Sequence, residues 1–260
     1  MRICRFSVNG EVGFGVVEGP GTDPADLVVA ALEGHPFAPF AFSGARHPMS
    51  DVRLLAPVLP SKVVCIGKNY ADHVAEMGGD AAPEAPVVFL KPSTSVIGPG
   101  DPIQLPRNSD RVDHEAELAI VIGRLCRDVP RAQALDVVLG FTCGNDVTAR
   151  DHQKQDGQWT RGKGHDSFCP IGPWVETDLS PADLQVQCFV DGEVRQDGRT
   201  SQLIHDVPAV IEWVTAFMTL LPGDVILTGT PAGVGPLVAG SAVTVLVEGI
   251  GPLTNPVVSR

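Results

Sequence analysis

Aromatic residues make up only 5% of this 260-residue chain, and most features that would announce a function class are also missing. Basic residues are outnumbered, with 19 Lys and Arg against 31 Asp and Glu for a formal charge of −12. Nucleic acid and anionic membrane surfaces both call for a basic patch, so neither is an expected partner. No apolar run approaches the roughly 18 residues of a membrane span. The opening stretch MRICRFSVNG has no apolar core of the signal-peptide kind, and a cytoplasmic protein is expected. Six cysteines (Cys4, Cys65, Cys126, Cys143, Cys169 and Cys188) are scattered without a C-x-x-C pair. They read as buried free thiols, not as a disulfide framework or a zinc site. The glycine-rich LTGTPAGVGP lacks the G-K-[ST] of a phosphate loop and the spacing of a dinucleotide fingerprint, which argues against a nucleotide-dependent enzyme.

What is present is enough apolar material for a sizeable core, 43% of residues, interrupted by 28 Gly and 23 Pro. Short strands and turns are therefore expected over long helices. RICRFSV and EVGFGVV flank Asn9-Gly10, a type I′ hairpin signal. TDPADLVVAALEG predicts a short helix capped by Asp23 and stopped at Gly34, and residues 35–50 read as a linker. A small β-rich N-terminal domain over 1–58 and a main domain over 59–260 follow. In the main domain, strand patterns recur, with a hairpin at Asp191-Gly192. One long helix pattern runs from Asp206 to Leu221, and shorter helices are expected after Tyr70, Pro130 and Thr148. Strands do not alternate with long helices, so the expected class is α+β, mostly β, with antiparallel and mixed sheet.

The chemistry gathers in a few stretches. In VDHEAELAIVIGR, residues 112–124, Glu115 and Glu117 share one strand face with Cα atoms roughly 7 Å apart. Two carboxylates leading into an apolar strand must face water, pair with Lys or Arg, or hold a cation. Asn145-Asp146, ending another apolar strand, adds a third carboxylate, although Asp before a helix is also a common cap. An all-oxygen set favours Mg²⁺, Mn²⁺ or Ca²⁺. His114 points to the opposite face and is left out. In GKNYADHVAEMGG, His73 and Glu76 stand at i, i+3 on one helix face, either a general base with its orienting carboxylate or a solvated ion pair. The Gly/Ala/Pro-rich run behind them makes residues 72–86 a candidate lid. Lys163, between two glycines in RGKGHD, reads as an exposed loop ammonium.

In their order, GKNYADHVAEM, PVVFLKPSTSVIGPGDPI, VDHEAELAIVIGR, CGNDVTARDHQ, RGKGHDSFCPIGPW and ILTGTPAGVGP resemble the fumarylacetoacetate hydrolase superfamily over residues 62–250. The short N-terminal domain is similar to its compact branch of acylpyruvate hydrolases, oxaloacetate decarboxylases and hydroxyhepta-diene-dioate isomerase/decarboxylases. The resemblance implies a mixed β-roll or sandwich, usually in a homodimer. It places Mg²⁺ or Mn²⁺ on Glu115, Glu117 and Asp146, a catalytic dyad on His73 and Glu76, and catalytic Lys163. It places Arg150, Gln153 and Thr230 against the substrate. The implied substrate is a small 2-oxo acid or dicarboxylate, cleaved at a C–C bond by acylpyruvate hydrolysis or oxaloacetate decarboxylation through a metal-stabilised enolate. The alternatives are 2-hydroxyhepta-2,4-diene-1,7-dioate isomerase or 5-oxopent-3-ene-1,2,5-tricarboxylate decarboxylase activity in aromatic catabolism, and a non-catalytic binder of metal or a small acid.

Overall fold

The strand Ala116–Ile122 is buried at every position, and its alternate residues enter two separate apolar clusters. Leu118, Ile120 and Ile122 join the larger cluster. Ala119 and Val121 face the smaller one, among Val63, Cys65, Cys169, Ile171 and Leu227. A strand covered on both faces needs a continuous apolar run, and this segment supplies one. Full burial of each Leu or Ile here contributes on the order of 1.5–3 kcal/mol. The computed structural model describes residues 1–78 and 83–260.

Among the described residues, the largest sheet has twelve strands. Its main path runs Ala41–Pro48, Val28–Glu33, Glu11–Glu18, Arg2–Val8, Cys169–Glu176, Val138–Asn145, Ala116–Ile122, Val225–Leu227, Val63–Gly67 and Val87–Lys91. Most pairs are antiparallel, but Val225–Leu227 runs parallel to Val63–Gly67, so the sheet is mixed. A five-stranded sheet (Glu193–Arg199, Gln185–Val190, Ala242–Val247, Gly251–Ser259, Ile103–Leu105) and a short three-stranded one (Thr148–Ala149, Val112–His114, Gly235–Pro236) complete the architecture. It is the expected α+β, mostly β class.

Local signals held where turn chemistry dictated them. Asn9 and Gly10 have φ of 51° and 85°, and Asp191 and Gly192 have φ of 52° and 82°, the left-handed pairs that a type I′ turn needs. All six cysteines are free and buried. Asp206 caps the main helix, Val207–Phe217, its side chain accepting from Ala209 N at 3.0 Å; the helix stops four residues short of Leu221.

Three expectations are corrected. The helix expected after Asp23 is a single 3-10 turn, Pro24–Asp26, followed by the strand Val28–Glu33. Asp23 does cap, accepting from Ala25 N, but the apolar run that follows pairs with Glu11–Glu18, and sheet partners override helix propensity there. The linker assigned to 35–50 contains a strand, Ala41–Pro48, paired with Val28–Glu33 in spite of its Gly and Pro. It lies at the sheet edge, where such residues are tolerated. After Pro130 the chain forms a 3-10 helix, Arg131–Val137.

The parallel pair is fastened at one end by Asp224. Its carboxylate is buried and accepts from Ser61 N (3.1 Å), Ser61 Oγ (2.6 Å), Lys62 N (3.3 Å) and Leu221 N (2.8 Å), and pairs with the Lys62 ammonium. Burial pushes its pKa up, but the bonds from Lys62, Ser61 and Leu221 outweigh that and hold it below the usual carboxylate value. Asp224→Ala is expected to lower unfolding stability by about 3 kcal/mol in a denaturant titration, since it strands several donors and one ammonium. Because the folded-state pKa is the lower one, the Asp224 contribution is fully present above the unfolded value near 4 and is lost as pH falls through the folded value. The gap between wild type and variant should therefore close in acid and stay constant from pH 5 to 8.

Candidate active site

Antiparallel register brings the three carboxylates together. Ala116 pairs with Asn145 and Glu117 with Gly144, which sets Asp146 beside Glu115. Glu115 N donates to Asn145 Oδ1 at 3.0 Å, and Asp146 N donates to Glu115 O at 2.9 Å, so the backbone fixes the junction. Glu115, Glu117 and Asp146 are all buried, and one oxygen from each lies within 4.8 Å of the others. Asp146 does not act as a helix cap; the nearby helix, Arg150–Asp156, starts after Ala149.

Cations approach this cluster from one side. Lys163 Nζ lies 2.8 Å from Glu115 Oε2 and 2.6 Å from Asp146 Oδ2. Arg150 Nη2 lies 2.7 Å from Glu115 Oε1, and Arg150 Nε lies 2.9 Å from Asp113 Oδ2. Lys91 Nζ lies 2.7 Å from Asp146 Oδ1, but its N–H groups donate to the carbonyls of Val147 (3.0 Å), Lys163 (2.5 Å) and Phe168 (2.8 Å). An ammonium has three donors, so Asp146 Oδ1 receives charge from Lys91 and no hydrogen bond. That oxygen is buried, with the Lys91 ammonium as its ionic neighbour.

The two glutamates consequently differ. Burial raises the pKa of both. At Glu115 the charges of Lys163 and Arg150 prevail and hold the carboxyl well below its usual range. At Glu117 burial adds to repulsion from Asp146 and Glu115, and the carboxyl is held well above it, opposed by the Gly229 N–H (2.6 Å to Oε2) and by the charge of Lys163. Among the described residues Glu117 has no cationic side chain in hydrogen-bond contact. Three buried carboxylates converging, with Glu117 lacking a cationic contact among the described residues, fit a hard divalent cation with oxygen ligands.

Opposite the carboxylates stands the helix Ala71–Glu76. His73 Nδ1 is 3.1 Å from Glu76 Oε2, and Gly233 N donates to Glu76 Oε1 at 3.0 Å. With Nδ1–H donated to Glu76, Nε2 carries the free lone pair. One cleft of about 180 Å³ is lined by His73, Glu115, Glu117, Asp146, Arg150, Gln153, Lys163 and Thr230, which are eight of the nine residues selected from the sequence. Glu76, the ninth, reaches it through His73. Of the candidate lid, residues 79–82 lie outside the described residues; beyond them, Pro83 O is 3.3 Å from His205 Nε2.

Lys163 departs from expectation in its surroundings. It is 2% exposed and ends a short helix, Thr160–Lys163. The flanking Gly162 serves close packing, since a Cβ there would stand 2.8 Å from Gln153 N. Thr230 lines the cleft, but its hydroxyl donates to Ala116 O (2.8 Å) and accepts from Gln196 Nε2 (2.7 Å), leaving a lone pair for a ligand.

Three supporting residues escaped the sequence reading. Lys91 is 1% exposed at the end of its strand, on the face of Phe89; a lysine in an otherwise apolar run was the available signal. Gln196 comes from the second sheet. Its Oε1 lies 3.0 Å from His114 Nδ1 and accepts from Ala116 N (2.9 Å), while its Nε2 also donates to Pro231 O (2.8 Å). Asn69 Nδ2 donates to Thr228 O (2.7 Å) and His205 O (3.0 Å), and Asn69 Oδ1 accepts from His205 N (2.8 Å). No local pattern marks these two, because their partners lie more than a hundred residues away or on another sheet.

This geometry is that of an acidic metal-type site facing a histidine–carboxylate dyad on a β-rich frame. Residues 62–258 match the family model described as fumarylacetoacetate (FAA) hydrolase C-terminal, and residues 1–57 match one described as Rv2993c-like, N-terminal. The chain belongs to the fumarylacetoacetate hydrolase family. It is 57% identical to Protein Rv2993c of Mycobacterium tuberculosis, over 100% of this chain and 99% of that protein. It is 43% identical to the mitochondrial oxaloacetate tautomerase of Xenopus laevis, over 80% of this chain and 69% of that one. Among solved structures, 2-hydroxyhepta-2,4-diene-1,7-dioate isomerase from Mycobacterium marinum superposes with a TM-score of 0.94 at 55% identity, covering 100% of this chain and 99% of that one. Maleylpyruvate hydrolase from Sphingobium sp. SYK-6, in complex with manganese(II) and pyruvate, gives a TM-score of 0.79 at 32% identity, covering 100% and 99%.

Gly229 tests the placement of Glu117. Its φ is +102°, and a Cβ would sit 2.7 Å from Asn69 Cβ and 3.2 Å from Ile66 O. Gly229→Ala is expected to displace the loop that binds Glu117 and to weaken Mn²⁺ binding at least tenfold by calorimetry. Gly192→Ala, with φ +82° and open space around the Cβ, should lose only about 1 kcal/mol of stability and leave Mn²⁺ affinity unchanged.

Proposed function

We propose that this chain is a divalent-metal-dependent enzyme acting on enolisable 2-oxo acids and breaking a C–C bond beside the keto group, by acylpyruvate hydrolysis or oxaloacetate decarboxylation. The observation that carries the reading is the convergence of one oxygen each from buried Glu115, Glu117 and Asp146 within 4.8 Å, in the cleft that His73 also lines. A similar protein binds manganese(II) together with pyruvate, the simplest 2-oxo acid, which supports both the ion and the substrate class.

Mg²⁺ or Mn²⁺ held by Glu115, Glu117 and Asp146 would supply positive charge for the carboxylate and keto oxygens of the substrate and for the negative charge of its enolate. The protein's own groups do the rest. His73 Nε2 takes a proton from water or from the carbon beside the keto group, and Glu76 stabilises the resulting imidazolium through Nδ1–H. Gly233 holds Glu76 in place. Lys163 has committed two of its three N–H donors to Glu115 and Asp146, so the third can meet an oxygen of the substrate. Gln153 has its Oε1 engaged by Arg150 Nη1 at 3.1 Å, which orients its amide N–H₂ as a donor.

The second reading is isomerisation of a hydroxydienedioate, favoured by the 55% identity to the Mycobacterium marinum isomerase. It uses the same enolate and the same proton carrier, and differs in leaving the carbon skeleton whole. A pure binder of metal or acid would have no use for the His73–Glu76 pair.

Protein stripped with EDTA should be inactive on oxaloacetate, acetylpyruvate, fumarylpyruvate and the hydroxydienedioate, and should recover on one or more with Mg²⁺ or Mn²⁺; full activity after exhaustive chelation would sink the proposal. His73→Ala should lower kcat by about 10²–10⁴-fold with Mn²⁺ affinity retained. Glu115→Gln should weaken Mn²⁺ binding itself, because an amide replaces a charged ligand. Equal loss of metal affinity in both variants would move His73 into the metal shell and refute this division of roles.

A further inference from the structure

Ala116 separates Glu115 from Glu117, and it sits where the sheet stops holding the strand on one edge. The ladder with Val225–Leu227 covers only Ala119, Ile120 and Val121. Beyond Leu227 threonine hydroxyls take over along that edge. Thr228 Oγ1 donates to Leu118 O at 2.9 Å, and Thr230 Oγ1 donates to Ala116 O at 2.8 Å. Ala116 N, which points to the same side, donates to Gln196 Oε1 at 2.9 Å. We propose that Gln196 is a positioning residue of the acidic cluster: with Thr230 it closes a ring of hydrogen bonds around Ala116 that sets where Glu115 and Glu117 hold their carboxylates for a divalent cation. The inference rests on that cluster being the metal site.

The ring runs in one direction. Ala116 N–H donates to Gln196 Oε1, Gln196 Nε2 donates to Thr230 Oγ1 at 2.7 Å, and the Thr230 hydroxyl donates back to Ala116 O. It cannot be reversed, because Ala116 N–H only donates and Ala116 O only accepts. Two further bonds lock the Gln196 amide the same way round. Pro231 O accepts from Nε2 at 2.8 Å, and Oε1 stands 3.0 Å from His114 Nδ1, which is therefore the protonated nitrogen of that ring. Gln196 is fully buried, and these four partners use both its N–H groups and both its oxygen lone pairs. Hydrogen bonds linked head to tail in a low-dielectric interior strengthen one another, so the ring resists distortion more than three separate bonds would.

The ring encloses the one residue whose displacement moves both glutamates. A twist of the Ala116 peptide groups shifts Glu115 and Glu117 relative to each other and to Asp146. A small hard cation demands close placement of its oxygen ligands, so such a shift is felt as lost affinity. Glu115 is the more vulnerable of the two. It lies between the strands Val112–His114 and Ala116–Ile122, outside both, and its own N–H is bound by the Asn145 side chain. The backbone N–H groups of Glu115 and Ala116 are thus held by side chains, Asn145 and Gln196, where a continuous strand would use a ladder. Glu117 is tied to the same segment as Thr230, since Gly229 N donates to its Oε2.

Mn²⁺ binding to the full-length protein, measured by titration calorimetry, reads the ring without turnover. Gln196→Met keeps the length of the side chain and removes its hydrogen bonds, and should weaken Mn²⁺ binding about tenfold. Thr230→Val keeps the shape and removes the hydroxyl, and should weaken it about threefold or more, whereas Thr230→Ser should stay within about twofold of wild type. A Thr230 that served only as a substrate contact would leave Mn²⁺ affinity untouched. The double variant should lose little beyond Gln196→Met alone, because one broken link already opens the ring. Val245→Ala, buried in the same five-stranded sheet as Gln196, should lower the unfolding temperature and leave Mn²⁺ affinity unchanged. The positioning role is overturned if Mn²⁺ affinity is unaltered in Thr230→Val and in a folded Gln196→Met, if the two losses multiply in the double variant, or if Val245→Ala weakens binding as much as Gln196→Met. Thr230→Val is nearly isosteric, so it decides the matter even if Gln196→Met does not fold. Failure of the wild-type protein to bind Mn²⁺ overturns the positioning role together with the metal reading beneath it.

Discussion

A line of alternating charge, partly buried along one strand face, governs this molecule. It runs from Arg111 to Asp113, Arg150, Glu115, Lys163 and Asp146, each member within 3 Å of the next, and Lys91 lies behind the last. Removing so many charges from water is expensive, and only close opposite pairing with further hydrogen bonds offsets it. Each carboxylate on the line has at least one such partner. Among the described residues Glu117 has no cationic side chain in contact, and with Glu115 and Asp146 it forms the acidic group that lines the cleft.

Much of the surrounding fold can be understood as holding that line still. Lys91 spends its donors on three carbonyls from separate segments, which pins the residues after Asp146 to those after Lys163. Gln196 reaches in from the second sheet to tie Ala116, His114, Thr230 and Pro231 together. Asn69 joins the start of the dyad helix to the Thr228 backbone and the His205 turn. Buried polar groups satisfied this fully fix a single arrangement more firmly than apolar contacts alone. The dyad is tied to the same loop, because Glu76 accepts from Gly233 while Glu117 accepts from Gly229. The His73–Glu76 pair and the acidic cluster thus share one glycine-rich segment, whose glycines allow its backbone N–H groups to come close.

The division of the cleft follows from the same line. At its interior end Glu115, Glu117 and Asp146 converge on one point. At its outer end Asp113 holds the Arg111 guanidinium in place. Relatives of this chain include a tautomerase, an isomerase and a hydrolase. Proton transfer next to a keto group is common to those chemistries, and the groups that would perform it belong to the interior.

By itself the sequence determined whatever depends on neighbours within a few residues. Period two set Glu115 and Glu117 on one face and His114 on the other. The i, i+3 spacing joined His73 to Glu76. Asn9-Gly10 and Asp191-Gly192 dictated their turns, because only those residue types accept left-handed φ at low strain. The motifs in their order also pointed to the family, and eight of nine selected residues line one cleft. Tertiary structure decided what depends on distant partners. Val28–Glu33 became a strand because Glu11–Glu18 offered it a ladder. Lys163, which its glycines suggested was exposed, is buried because Glu115 and Asp146 meet it from other segments. Gln196 and Asn69 were silent in the sequence for the same reason. A buried polar side chain has meaning only through the groups that satisfy it, and those are brought to it by the fold.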